Sequence, residues 1–322
     1  MSRVIAITGA TGFAGRHAVS ELLNSGAQLR ALARNPEKAG LPDAVETVKG
    51  DLSDQAALKR LLDGADAVVH LAGAIAALDR PGYFTVNGQG TEAVVKAALA
   101  AGTPRFVHIS SLSAREPHLS PYAASKRAGE AAVEKRARDL NAIIIRPPAV
   151  YGPGDKGTLP LIKELTRGVA AIPGRPEARF SLIHGRDLAR IIAAAAGNAE
   201  QGLHEVSDGK RGGYGWAELI EAASAFRGRP VKPIFLPRAV PQAVAFAAEG
   251  LARLSGRPGL INRGKIAELY HPDWVSREGT LALPDPIPFA EGFAETVNWY
   301  RAAGWLPQAA PADRSSSNSR TR

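Results

Sequence analysis

The stretch Val4-Ile-Ala-Ile-Thr-Gly9-Ala-Thr-Gly12-Phe-Ala-Gly15 decides the fold of this 322-residue chain. Val4–Thr8 reads as a short buried strand, and the three glycines behind it follow at a GxxGxxG spacing that opens into a helix expected over 14–24. Glycine at such places allows a tight turn, close approach of the backbone to a pyrophosphate, and close packing of helix on sheet. The free N–H groups at the helix start then face the anion. Gly9, Thr11, Gly12, Phe13, Ala14 and Gly15 are accordingly candidates to hold a dinucleotide. Taken alone the glycines would serve as well merely to turn the chain; the strand before them and the helix after them favour the binding role.

Working outward, apolar runs at 29–33 (LRALA), 45–49, 67–71 (AVVHL), 106–110 (FVHIS) and 142–146 (AIIIR) read as further strands separated by alanine-rich helices such as 91–101. Near-continuous apolar strands alternating with helices predict an α/β fold, a doubly wound parallel sheet of the Rossmann type covered on both faces. After Gly152 glycine and proline become frequent and the rhythm breaks. We expect a dinucleotide-binding domain over 1–155, to which 183–207 returns with a helix at 186–196 and a strand at 204–207. A smaller, C-terminal helix-rich cap domain is expected over 156–182 and 208–305, and a polar, disordered tail over 306–322.

The strand ending at Ala33 supplies the next discriminator. Where an acid would bind a ribose 2′-hydroxyl, the chain has Arg34, with Lys38 nearby, which suits a 2′-phosphate and points to NADP(H) in preference to NAD(H). A solvated arginine at a strand end is the plainer alternative. Asp51 and Leu52, after the third strand, are placed to flank the adenine.

Ser110 and Ser111 follow the fifth strand, and Tyr122-Ala-Ala-Ser-Lys126 opens a helix, so that the phenol and the ammonium share one helix face. A phenol with an ordinary pKa near 10 becomes a useful acid–base group when a neighbouring ammonium favours the phenolate. Ser111 would hold a substrate oxygen beside it, although Ser110 and Ser113 leave the choice of serine open.

With these motifs in order, the chain resembles the short-chain dehydrogenase/reductase superfamily, and within it the extended or atypical branch of NAD-dependent epimerases and dehydratases. The matching elements, over residues 1 to about 305, are TGATGFAG (8–15), HLAG (70–73), VNGQGT (86–91), ISS, YAASK, RPPAVYGPGD (146–155) and IHGRDLA (183–189). The resemblance implies a catalytic set of Ser111, Tyr122 and Lys126: Tyr122 exchanges the proton, Lys126 holds the nicotinamide ribose, and Ser111 orients the reacting oxygen. It also implies cofactor contacts from Leu71, Ala72, Gly73, Ser110, Pro147 and Val150, with Asn87 and Thr91 near the cofactor side of the sheet. His184 resembles a family position that helps place the cap.

Two departures bear on substrate. Only ten residues separate Ser111 from Tyr122, and Ala149 stands where galactose-type epimerases carry an asparagine for the substrate pyrophosphate. Together with the segments around Asp273–Ser276 and Trp299–Leu306, these make the chain look like dihydroflavonol-reductase-like or 3β-hydroxysteroid-dehydrogenase-like relatives. The expected activity is therefore NADPH-dependent reduction of a carbonyl, or the reverse oxidation of a secondary alcohol. Two alternatives stay open: a nucleotide-sugar epimerase or dehydratase, and a non-catalytic NADPH-binding protein resembling the complex I accessory subunit.

Composition bounds the rest. Hydrophobic residues at 45% and charged ones at 22% are enough for a packed core. Without cysteine there is no disulfide, thiolate nucleophile or thiolate-held metal, and the seven histidines lack a metal-binding spacing, so no metal is expected. His70 and His108, in strands, read as hydrogen-bonded structural histidines, and Glu130–Arg138 as a solvated helix face. The net charge of +9 accompanies no basic stripe interleaved with aromatics, so no nucleic-acid partner is expected. The membrane-like stretch 239–248 has ten residues where a span needs about 20, so no transmembrane segment is expected either. No secretion signal is evident, and the chain reads as cytoplasmic, with a small-molecule carbonyl or alcohol substrate and a homodimer left open.

Overall fold

The computed structural model describes residues 2–277, 281 and 283–308; of the tail expected at 306–322, residues 309–322 lie outside the described residues. The first part of the chain runs β1 (Val4–Thr8), α1 (Phe13–Asn24), β2 (Gln28–Ala33), β3 (Val45–Lys49), α2 (Gln55–Leu62), β4 (Ala67–His70), α3 (Arg80–Phe84), α4 (Thr91–Ala101), β5 (Phe106–Ile109), α5 (Pro121–Glu134) and β6 (Ala142–Arg146). Then follow β7 (Ala149–Tyr151), α6 (Leu159–Leu165), β8 (Val169–Ile172), β9 (Arg179–Phe180), β10 (Leu182–His184), α7 (Gly185–Gly197) and β11 (Gly202–Glu205). The last part holds α8 (Trp216–Arg227), β12 (Lys232–Phe235), α9 (Ala239–Ser255), α10 (Arg263–Leu269), β13 (Asp273–Trp274) and α11 (Phe289–Ala302).

Seven strands form one parallel sheet in the order β11-β6-β5-β4-β1-β2-β3. Because strand side chains alternate and both faces are covered, successive residues of β1 enter different cores. Ile5 and Ile7 join α1 and α7 residues such as Leu22, Leu188 and Ile192, whereas Ala6 joins Leu58, Leu61 and Val94 from α2 and α4. The strand order reverses between β1 and β4, and such a switch point opens a crevice at the carboxyl ends of the strands.

The strand expected at 204–207 lies two residues earlier: β11 takes in Gly202 and Leu203, which pair with Ile143 and Ile144, so neighbouring backbone and not local propensity sets its start. Among the described residues the later part of the chain also contains three two-stranded parallel pairs, β7 with β10, β8 with β12 and β9 with β13. Strands of two to four residues joined over such separations leave no alternation to read. An aromatic core of Tyr151, Tyr214, Trp216, Phe289, Phe293 and Tyr300 ties β7, α8 and α11 together.

Candidate active site

The glycine turn closes on the end of β4. Gly9 has φ +77°, and a Cβ there would stand 2.6 Å from the Ala72 nitrogen; a Cβ on Gly15 would stand 2.1 Å from the Gly9 carbonyl oxygen. Neither position accepts a side chain, and the backbone of 9–15 thereby lies bare at the switch point. Among the described residues no side chain caps the α1 N-terminus, whose flanking residue is Gly12, so its first-turn N–H groups remain available to an anion. This bare loop and open helix end, at the sheet's crevice, fit a dinucleotide.

Behind the loop a buried relay fixes Ala72. Thr91 Oγ1 donates to the Asn87 carbonyl at 2.7 Å, so it accepts from His70 Nε2 at 3.0 Å. His70 Nδ1 is left to accept from Thr8 Oγ1 at 2.7 Å, and that oxygen accepts from the Ala72 N–H at 3.3 Å. The relay needs a neutral imidazole, and burial, helped by the Lys126 charge, pushes the His70 pKa down to about 3. Its neighbour His108 differs from expectation. It stacks on His70 with centroids 5.4 Å apart, and among the described residues neither of its ring nitrogens has a hydrogen-bond partner. Held neutral by burial, it serves there as an apolar ring.

Asn87 binds the 71–74 loop to α5. Its amide accepts from Ala74 N at 2.7 Å and donates to Ala74 O at 3.0 Å and to Ser125 Oγ at 2.8 Å. Lys126, one residue on, is buried and donates to the Ile109 carbonyl at 2.8 Å. Its amine also lies 3.7 Å from where a Cβ on Gly73 would sit, which brings Gly73 and Lys126 to one wall of the crevice. Burial pulls the Lys126 pKa down to about 8, with Glu130 opposing.

Tyr122 occupies the first turn of α5, whose start is capped by Ser120 Oγ accepting from Ala123 N at 2.9 Å. Burial pushes its phenol up to about 12, and a hydrogen bond with the Ser111 hydroxyl opposes the rise. Ser111 Oγ also accepts from Ser113 N at 3.2 Å. The other two serines are engaged elsewhere: Ser110 Oγ donates to Glu130 Oε1 at 2.6 Å and Ser113 Oγ to Glu268 Oε2 at 3.4 Å. The structure thus brings Ser111, Tyr122 and Lys126 together beside the loop and turns the Ser110 hydroxyl away.

Arg34 is exposed at the end of β2 and lies close enough to Asp51 to help depress its carboxyl pKa, behind the stronger effect of hydrogen bonds from Ser53. Leu52 packs on Gly90, where a Cβ would approach it to 2.6 Å. Pro147 is buried and accepts from Leu112 N at 2.8 Å, while Val150 sits in β7 opposite Ile183. His184 caps α7, accepting from Arg186 N at 3.3 Å, and lies under Gly152 where a Cβ would meet its Nε2 at 2.9 Å. That geometry ties the 152–154 turn to α1 through His17, which bonds the Pro153 carbonyl.

Two carboxylates escaped the sequence reading. Glu130 is completely buried, not part of a solvated face, and accepts from Arg146 Nε and Nη2, both at 2.7 Å. Its spacing of four from Lys126 was the available signal, because it puts both on one face of α5. Glu268, on α10, is also buried; it accepts from Ser120 and Ser113 and pairs with Lys265 at 3.4 Å. Its charge raises the Tyr122 pKa, and nothing local to 263–269 could have announced a contact made across the molecule.

Comparison with known proteins converges on the same architecture. Residues 5–207 match the model of the NAD dependent epimerase/dehydratase family. The chain is 43% identical to the ceramide reductase of Caulobacter vibrioides over 309 residues, which cover 95% of this chain and 96% of that protein. It is 31% identical over 185 residues to the 2-alkyl-3-oxoalkanoate reductase of Stenotrophomonas maltophilia, covering 51% of this chain and 56% of that one. Among solved structures, MoeE5 in complex with UDP-glucuronic acid and NAD superposes with a TM-score of 0.70 at 24% identity, covering 94% of this chain and all of that one, a likeness of fold.

Proposed function

The chain belongs to the NAD dependent epimerase/dehydratase family and is an NAD(P)-dependent oxidoreductase of the short-chain dehydrogenase/reductase type, and within that family we propose that it reduces the ketone of a ceramide-type lipid using NADPH. The observation that carries the reaction is the convergence of Ser111, Tyr122 and Lys126 at one edge of the glycine-loop crevice. The full-length likeness to a ceramide reductase supports the substrate class.

In this reading residues 9–15 and 71–73 hold the dinucleotide, with Arg34 facing the 2′-phosphate and Pro147 and Val150 lining the nicotinamide end. A reduced nicotinamide bound there supplies hydride to the carbonyl carbon. Ser111 donates a hydrogen bond to the carbonyl oxygen, and Tyr122 transfers its phenolic proton to that oxygen as negative charge develops, leaving a secondary alcohol. Burial keeps Tyr122 protonated at neutral pH, the state a reductase needs at the start of the reaction. The Lys126 ammonium stabilises the phenolate that remains and reaches the ribose side of the crevice. Glu130, four residues along α5, holds Lys126 in its charged form against the cost of burial. The cofactor unit in this proposal is 1–155 with 183–207, and the remainder to 305 covers the substrate.

Purified protein should oxidise NADPH with a ceramide-type ketone dispersed in detergent, and Tyr122→Phe should lower kcat/KM by about 10²- to 10⁴-fold. Full activity in Tyr122→Phe would overturn the catalytic assignment. Purification with tightly held NAD and no net turnover would favour an epimerase instead. In a binding comparison, NADPH should bind more tightly than NADH and Arg34→Ala should erase the difference; equal binding by the unaltered protein removes the role given to Arg34.

A further inference from the structure

Helix α9 carries its larger apolar face outward. Val240, Ala243, Val244, Ala247, Leu251 and Leu254 recur at helical spacing along one stripe, and all are exposed, with Leu251 at 67% and Leu254 at 87%. Phe246 flanks the stripe at 67% exposure. The helix is held to the body on its opposite side, where Pro241 and Ala245 are its buried residues and Ala245 packs with Ile266 and Tyr270. The apolar surface continues past the helix through Leu260 and Ile261, both exposed. Isolated exposed leucines are ordinary, but a contiguous apolar stripe on a surface helix calls for an occupant.

The charge around the stripe identifies one. Within 238–265 five cations, Arg238, Arg253, Arg257, Arg263 and Lys265, stand against one carboxylate, Glu249. Glu249 is taken by Arg263 and Lys265 pairs with Glu268, so among the described residues Arg238, Arg253 and Arg257 have no carboxylate partner. Apolar residues on one face, with uncompensated exposed arginines on the same helix and at its two ends, match the interface of an anionic bilayer, with the apolar side chains in the acyl boundary and the cations among the headgroups.

We propose that α9 and the 256–261 segment dock this protein peripherally on an anionic lipid membrane. The docking surface leads directly to the site. Asn262, next to Ile261, donates to the Tyr83 hydroxyl at 3.3 Å, and the Tyr83 ring packs edge-on against Tyr122 with centroids 6.2 Å apart. Gly264 lies so close to Ser120 that a Cβ would stand 2.8 Å from the Ser120 Cβ. A bilayer bound at α9 therefore lies against the wall of the crevice that holds Tyr122.

The test uses the full chain without cofactor or substrate, so its outcome is independent of the reductase reading. In flotation assays the protein should bind vesicles containing roughly a third phosphatidylglycerol and bind pure phosphatidylcholine vesicles at least about tenfold more weakly. Leu251→Ser combined with Leu254→Ser should lower the partition coefficient by about tenfold or more, and Arg253→Glu with Arg257→Glu should remove the preference for anionic lipid. Thermal unfolding should be unchanged in both, because all four side chains are exposed. No binding to anionic vesicles, or unchanged binding by the double serine variant, overturns the proposal. So does a dimer in solution that the same double serine variant converts to monomer, since a second copy of the chain would then cover the stripe.

Discussion

Helices α7 and α9 look alike as sequence and are used in opposite ways. Both are rich in alanine with branched aliphatics at helical spacing, GRDLARIIAAAAG in α7 and AVPQAVAFAAEGLARLS in α9. In α7 the apolar stripe of Leu188, Ile191, Ile192, Ala195 and Ala196 is buried against α1 and the central sheet. In α9 the corresponding stripe faces out, and small residues make the attachment. Periodicity therefore reports that a helix has an apolar face without reporting what meets it. The same lesson holds for charge: Glu130 on α5 is completely buried, while Glu134 one turn later is exposed.

The comparison can be broken most severely at the buried charge. Glu130→Ala leaves Arg146 without its two-point partner in the interior and should cost about 3 to 5 kcal/mol in chemical denaturation, as expected for removing one member of a buried pair. A loss below about 1 kcal/mol would mean that the carboxylate is solvated after all. Next in size, Ile192→Ala in α7 should cost about 2 to 4 kcal/mol because it opens a cavity in the sheet core, whereas Leu254→Ala in α9 should change stability by no more than about 0.5 kcal/mol. Equal effects would erase the distinction between the two helices.

A smaller effect separates the buried site from the exposed surface by pH. Lys126 has a folded pKa near 8, below its ordinary 10.5, so the native chain holds fewer protons than the unfolded chain between those values. Its contribution to stability accordingly rises with pH across that window and is flat below it. Activity should move the other way. Tyr122 stays protonated toward about 12, so loss of the Lys126 ammonium governs the alkaline limb: kcat/KM for carbonyl reduction should fall about tenfold per pH unit above 8. A profile level to pH 10 would detach Lys126 from the rate.

Much of the central architecture is legible locally. Val4–Thr8 with its three glycines, the largely apolar β5 and β6, and the Tyr-x-x-x-Lys spacing each declare themselves within a dozen residues, because a parallel strand buried on both faces must be mostly apolar and a bare turn favours glycine. The sequence also nominated Tyr122 and Lys126 for the proposed proton transfer and left three serines in contention. It could not distinguish the surroundings of those serines, because Glu130 accepts from Ser110 and Glu268 from Ser113 across the fold. Nor could it foresee Glu268 beside Tyr122, the neutral His70 relay behind Ala72, or the outward stripe of α9. Local sequence determines which backbone conformations and which faces are available, since propensity, sterics and periodicity act over a few residues. Which faces meet, which charges lose their water and which apolar surface is left for a partner are set by contacts between residues far apart in the chain, and only the tertiary structure decides those.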